Sequence, residues 1–322
     1  MWDGVDACNP ERKEEGDRLA TGLCHPGCCW LEAARLNRRW AYRIYPRALL
    51  WCGSRKTAVM TTSDYTKPAV ALSSGEMPLL GFGTWQIDNA DASEAVQTAL
   101  EAGYRHIDTA TGYQNEAGIG EGLMAVGLPR DSIFVTTKMP PDNVGKERET
   151  LEESLTKLGL DHVDLWLVHW PPNKQATPEA WEQFIKVQQD GLTKSIGVSN
   201  YSLDQIDELI AATGVAPAVN QIPWAPTKYD PALVAGLKER NVVLEGYSPF
   251  KLSNMDDPAL TSIAEAHDAT PAQIIVAWHV KHEFVVIPKS TKRERIVSNA
   301  VGAHIELTDD EVATIDGLSE VS

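Results

Sequence analysis

Asp108 and Tyr113 lie five residues apart in the segment His106-Ile107-Asp108-Thr109-Ala110-Thr111-Gly112-Tyr113-Gln114-Asn115-Glu116. A phenol with its ordinary pKa of about 10 is a weak donor to a substrate oxygen near neutral pH unless its ionised form is stabilised. A nearby ammonium does that, and Lys138 is the candidate. Asp108 would hold Lys138 by an ion pair, and His169 would orient a substrate carbonyl or relay the proton. Such a quartet makes an acid suited to proton transfer at the working pH, provided the fold brings the four groups together. Taken singly, each has a plainer reading: a solvated lysine, a helix-capping aspartate, a structural histidine.

The elements that would position them follow a regular rhythm. Short β-branched or apolar runs fall at residues 80–84, 106–109, 133–138, 163–169, 195–199, 218–222, 242–247 and 284–288. Helical spacing separates them, opened by cap-like starts such as Asp91-Ala92-Ser93-Glu94 and Ser202-Leu203-Asp204-Gln205. Strand, helix, strand alternation implies right-handed parallel crossovers, and continuously apolar strands imply burial on both faces. Eight such units in this length predict an α/β protein, a closed (β/α)8 TIM barrel, with an open doubly wound sheet as the competing architecture. The Gly81-Phe82-Gly83-Thr84-Trp85 turn lacks the third glycine of a dinucleotide-binding G-x-G-x-x-G motif, which weighs against the doubly wound reading. Around Ser73-Ser74-Gly75, a short N-terminal β-hairpin precedes the barrel and should cover its bottom; an extra helix near residues 308–318 follows it.

In a barrel, functional groups gather at the C-terminal ends of the strands. Those ends carry Trp85, Asp108 with Tyr113, Lys138, His169 with Trp170, Ser199 with Asn200, Gln221, Tyr247 with Ser248, and Lys289 with Ser290. Asp108, Lys138 and His169 would come from the second, third and fourth strands, which are neighbours around the rim.

The 322 residues carry a formal net charge of -16, which argues against nucleic acid or an anionic membrane surface as partner. Small ligands fit better, since a phosphate needs only two or three well-placed cations and amides. No apolar run approaches a membrane span. All five cysteines precede residue 53, so the remainder reads as a product of a reducing, cytoplasmic compartment. Residues 1–59 differ in kind, with ten basic against seven acidic residues and four of the ten tryptophans. A zinc site at Cys24-His25-Pro26-Gly27-Cys28-Cys29 is disfavoured by its adjacent cysteines, and no metal is expected. The expectation is a disordered extension at 1–59, an upstream-start artefact being one origin, with the functional domain at 60–322.

The successive motifs Gly81-Phe82-Gly83-Thr84-Trp85, Gly103-Tyr104-Arg105-His106-Ile107-Asp108-Thr109-Ala110, Tyr113-Gln114-Asn115-Glu116, Leu167-Val168-His169-Trp170-Pro171, Gly197-Val198-Ser199-Asn200, Asn220-Gln221, Tyr247-Ser248-Pro249 and Ile287-Pro288-Lys289-Ser290 resemble, in order, those of the aldo-keto reductase family. The resemblance implies a barrel that binds NADPH without a Rossmann domain and reduces aldehydes or ketones to alcohols. A monomer is the expected state. It assigns Tyr113 as proton donor, Lys138 and Asp108 as its tuning pair, and His169 as the group that orients the carbonyl. By the same resemblance the cofactor is held by Gly83, Thr84, Asp108, Ser199, Asn200, Gln221, Tyr247, Ser248, Lys289, Ser290, Thr291, Arg295 and Asn299. Trp85 and Trp170, with Tyr113 and His169, face the small-molecule carbonyl substrate. Lys289 and Arg295 suit the 2'-phosphate that separates NADPH from NADH. The chain departs from the usual pattern at Ser298, at Ile222-Pro223-Trp224-Ala225-Pro226 and at Phe250-Lys251-Leu252-Ser253-Asn254. An NADPH-binding sensor on the same barrel, with little turnover, is the competing function.

Overall fold

Parallel strands each buried on two faces can avoid exposed edges only by closing, and this chain closes. The computed structural model describes residues 68–321. The expected extension at 1–59, its cysteine cluster and the domain start at residue 60 lie outside the described residues. An antiparallel hairpin, β1 (Ala69–Leu72) and β2 (Gly75–Pro78), comes first. Eight parallel strands follow: β3 (Phe82–Gly83), β4 (His106–Asp108), β5 (Phe134–Met139), β6 (Val163–Val168), β7 (Thr193–Ser199), β8 (Val219–Pro223), β9 (Val243–Tyr247) and β10 (Val285–Val286). A parallel bridge from Leu80 to Val286 joins the last strand to the first. Hydrogen bonds from Gly81 N to Val286 O (2.9 Å) and from Val286 N to Leu79 O (2.8 Å) complete the seam. The doubly wound alternative is thereby excluded.

Helices α1 (Asn89–Glu101), α2 (Glu116–Val126), α3 (Glu147–Leu158), α4 (Pro178–Gln189), α5 (Leu203–Thr213) and α6 (Pro231–Glu239) link successive strands. After β9 the chain makes two helices, α7 (Pro258–Ala266) and α8 (Pro271–Lys281), and α9 (Arg293–Gly302) and α10 (Asp309–Asp316) follow β10. The expected capping box at α5 is present, with Gln205 N donating to Ser202 Oγ (3.2 Å) and Ser202 N donating to Gln205 Oε1 (2.9 Å). The expected cap at Asp91 is displaced: α1 begins at Asn89, whose side chain accepts from Gly118 N (2.9 Å) and so ties α1 to α2. That approach requires glycine, because a Cβ at Gly118 would stand 2.2 Å from Asn89 O.

The hairpin covers the barrel bottom as expected. Met77 and Leu79 join Phe134, Leu165, Leu167, Val219 and Val285 in one buried cluster, which seals the N-terminal end with apolar side chains. Between sheet and helices a second cluster includes Trp166 stacked on Phe184 at 3.7 Å between ring centroids. Above the apolar plug the interior turns polar, with His106, Asp108, Lys138, Gln221 and Glu245 all at most 2% exposed.

Candidate active site

Asp108 ends β4 in register with Thr136 of β5, and Lys138 stands two residues further on the same strand face, so adjacent parallel strands present both inward at the rim. Lys138 Nζ spends its three donors on Asp108 Oδ1 (2.7 Å), Thr109 O (2.8 Å) and the Tyr113 hydroxyl (3.5 Å). The last contact is at the outer limit of a hydrogen bond. Burial works against the ammonium, but Asp108 and Tyr113 outweigh it and hold the Lys138 pKa above its ordinary value. Burial pushes the Asp108 carboxyl up, opposed by Lys138 and by the Gln221 amide, whose Nε2 donates to Asp108 Oδ2 at 2.8 Å.

Tyr113 sits on a single 3-10 turn, Thr111–Tyr113, and the chain pins both flanks of it. Thr109 Oγ1 donates to Asn115 Oδ1 (3.0 Å), and Asn115 Nδ2 donates to the carbonyls of Thr84 and Ile87 (2.9 Å each). The buried Glu116 carboxylate accepts from Thr137 Oγ1 (2.7 Å) and Ser154 Oγ (3.1 Å). The hydroxyl is thus placed by a rigid frame. From the sequence, Lys138 is expected to bring the phenol's pKa down, and its pull is present. Burial is larger, however, and Asp108 adds to it, so the net pKa stands above 10.0.

The His169 ring meets the Tyr113 ring edge-on at 5.6 Å between centroids. Burial, then the Lys138 charge, takes its pKa down to about 3, so the imidazole is neutral near pH 7. A neutral imidazole offers one N–H donor to a substrate oxygen and brings no second cation beside Lys138.

These groups open into a cavity of about 720 Å³. It is lined by Gly83, Trp85, Asp108, Tyr113, His169, Trp170, Ser199, Asn200, Gln221, Tyr247, Ser248, Lys289 and Arg295, all of them expected from sequence. Lys138 lies behind it, wholly buried. Four expected cofactor residues do not line it. Thr84 is buried, with its hydroxyl donated to Asp108 O (2.9 Å); the Ser290 hydroxyl accepts from Lys292 N (3.0 Å) at the start of α9; Thr291 is exposed and Asn299 buried. Gln86, Pro223, Pro249, Phe250, Lys251, Leu252 and Ile287 complete the lining. Of these, the 250–252 run is visible in sequence only as a departure from the usual loop, because loop conformation is not fixed by residue spacing. Three non-glycine residues of the lining, Gln86, Asn200 and Ser248, hold φ of 58°, 65° and 57°. Such left-handed backbone costs about 1–3 kcal/mol each and is found where surrounding structure over-determines a functional loop.

The polar groups suit a nicotinamide dinucleotide. Ser199 Oγ donates to Gln221 O (2.8 Å) and accepts from Asn200 Nδ2 (2.9 Å), and the Tyr247 hydroxyl donates to Asn200 Oδ1 (2.8 Å). This fixes hydroxyl and amide groups in the wall of the cavity that also holds Tyr113, and it orients the Tyr247 ring. In the same cavity Lys289 and Arg295 supply two exposed cations for a phosphate.

The fold and site define a parallel (β/α)8 barrel with an acid–ammonium–phenol cluster at its C-terminal rim and a cavity of dinucleotide chemistry above it. The chain belongs to the aldo/keto reductase family, whose model matches residues 79–320. It is 42% identical over 264 residues to an aldo-keto reductase of Mycolicibacterium vanbaalenii, covering 80% of this chain and 95% of the relative. To a methylglyoxal reductase of Salmonella typhimurium it is 40% identical over 248 residues, covering 76% of this chain and 90% of the relative. A Bombyx mori aldo-keto reductase solved in complex with NADP superposes with a TM-score of 0.73 at 34% identity, covering 79% of this chain and 93% of that one. The protein is therefore an NADP-dependent oxidoreductase. Among the described residues no helix is long and apolar enough to cross a membrane.

Proposed function

We propose that the protein reduces small aldehydes, dicarbonyls or keto sugars, with Tyr113 as the proton donor. The carrying observation is the contact of the Tyr113 hydroxyl with a wholly buried ammonium that is itself paired with Asp108. Bound NADPH supplies the hydride. Tyr113 gives its proton to the substrate oxygen, and Lys138 stabilises the phenolate that results. Asp108 holds Lys138 in place. His169, neutral, donates a hydrogen bond that orients the carbonyl, and Trp85 and Trp170, each 48% exposed, wall the substrate side. Lys289 and Arg295 bind the 2'-phosphate. The similarity to a methylglyoxal reductase supports a small dicarbonyl among the substrates. We further take the protein as a cytoplasmic monomer, the compartment being inferred from the absence of cysteine after residue 52.

A panel of aldehydes, dicarbonyls and keto sugars, including methylglyoxal and a nitrobenzaldehyde, tests this with NADPH oxidation as the readout. Turnover of at least one class supports the reductase. Tight NADPH binding with no turnover of any would replace it with the sensor.

A further inference from the structure

Glu245 stands in the middle of β9, two residues before Tyr247 and on the same face, so it points into the barrel beneath the cavity. Its side chain is 0% exposed, and neither carboxyl oxygen receives a hydrogen bond of ordinary geometry. Four titratable groups face it from the surrounding elements: His106 and Asp108 from β4, Lys138 from β5 and Tyr113 from the turn after β4. His106 Nε2 is 3.7 Å from Glu245 Oε1, but burial takes that imidazole down to about 3, so it brings no positive charge. The one cation of the cluster, Lys138, is already neutralised by Asp108 at 2.7 Å. Gln221, the register partner of Glu245, gives an amide hydrogen to Asp108 Oδ2 and lends Glu245 only a weak contact, whose downward pull on the carboxyl pKa is smaller than the upward push of burial and Asp108. A second carboxylate here would be a dry, uncompensated charge, which proteins avoid by keeping the acid protonated.

We propose that Glu245 is a further residue of the reaction apparatus: as the neutral acid beneath the Asp108–Lys138 pair it keeps the buried cluster free of net negative charge, and its ionisation suppresses proton donation by Tyr113. This rests on the reading of Tyr113 as donor. Glu245 touches neither substrate nor cofactor and acts through the electrostatics of the cluster, opposing phenolate formation when charged. Burial, then the Asp108 charge, pushes its carboxyl up to about 8, so the change of state falls within reach of ordinary assays.

The test pairs single-turnover reduction rates with an infrared titration of the carboxyl groups, on the full chain with NADPH. In the natural protein the rate should fall about tenfold between pH 7 and 9, following the fraction of neutral acid for a group with a pKa of about 8. Loss of the Tyr113 proton itself lies higher. Glu245→Gln, a permanently neutral isostere, should fall by less than about twofold over that range. It should also remove from the infrared spectrum one carboxyl that titrates between pH 7 and 9. Glu245→Met gives the same reading should the glutamine variant not fold. A tenfold fall retained in the variant overturns the proposal, and so does the absence of any such carboxyl. Normal turnover by Tyr113→Phe would overturn it through its premise, and this failure is told apart because the infrared titration would still show Glu245.

Discussion

Lys138 Nζ lies 2.7 Å from Asp108 Oδ1 where the two side chains are 0% and 2% exposed. Such a pair is held by mutual need: either charge alone would be buried without compensation.

Lys138→Met therefore leaves Asp108 stranded and should destabilise the protein by about 3–5 kcal/mol, the usual cost of removing one partner of a buried pair. Adding Asp108→Asn removes the stranded charge and should recover a large part of that loss. Urea unfolding of the two single variants and the double variant checks this by a double-mutant cycle. Strictly additive losses would show that the two groups are not coupled.

Tyr113→Phe deletes only the hydroxyl. Its ring keeps the edge contact with His169, and the frame from Asn115 and Glu116 is untouched. NADPH affinity, read by fluorescence quenching, should stay within about twofold, while turnover falls by roughly 100-fold or more, as expected for losing a general acid. A variant that turns over at the natural rate would remove Tyr113 from the chemistry.

Much of this arrangement is legible in the amino-acid sequence, because a barrel converts sequence position into place. Asp108, Lys138 and His169 end consecutive apolar runs, and consecutive parallel strands are rim neighbours. Glu245 is harder to read, although Glu245 and Tyr247 share strand parity and that signal points both inward. A single acid inside Val243-Leu244-Glu245-Gly246-Tyr247 looks like a solvent-facing residue until closure makes one face the interior. The tandem α7–α8 pair also escapes the strand–helix rhythm, though Asp257-Pro258 and Thr270-Pro271 each join a capping residue to a first-turn proline. Thr84, Ser290, Thr291 and Asn299 show the opposite case. Their motif positions are recognisable, but spacing does not reveal which way a side chain turns: the Thr84 hydroxyl is given to Asp108 O and that of Ser290 accepts from Lys292 N.

Arg295→Ala addresses the cofactor end. Arg295 and Lys289 are the exposed cations of the cavity from the β10–α9 segment, and a charge-assisted bond to phosphate contributes about 1.5–3 kcal/mol. The dissociation constant for NADPH should rise by roughly 10- to 100-fold. NADH, lacking the 2'-phosphate, should change by less than about threefold. Equal losses for both cofactors in a binding titration would contradict a phosphate role.

Stability should pass through a maximum near pH 6.5. His106, His169 and His279 are held at about 3, 3 and 4 by burial, so between those values and 6.5 the unfolded chain binds more protons than the native one. Stability therefore rises with pH across that window. Glu245 acts with the opposite sign. Its carboxyl, raised from 4.5 to about 8, keeps a proton in the native state that the unfolded chain has released. Stability falls with pH through that interval, and Glu116, also raised by burial, adds in the same direction. Below about pH 6.5 the three histidines outweigh Glu245; as the unfolded histidines lose their remaining protons above it, the raised acids prevail and stability declines by roughly 1 kcal/mol or less by pH 8. Urea midpoints measured from pH 5 to 9 should trace this dome, and Glu245→Gln should flatten its alkaline side. Midpoints that keep rising to pH 8 in the natural protein would mean that Glu245 is ionised in the folded state.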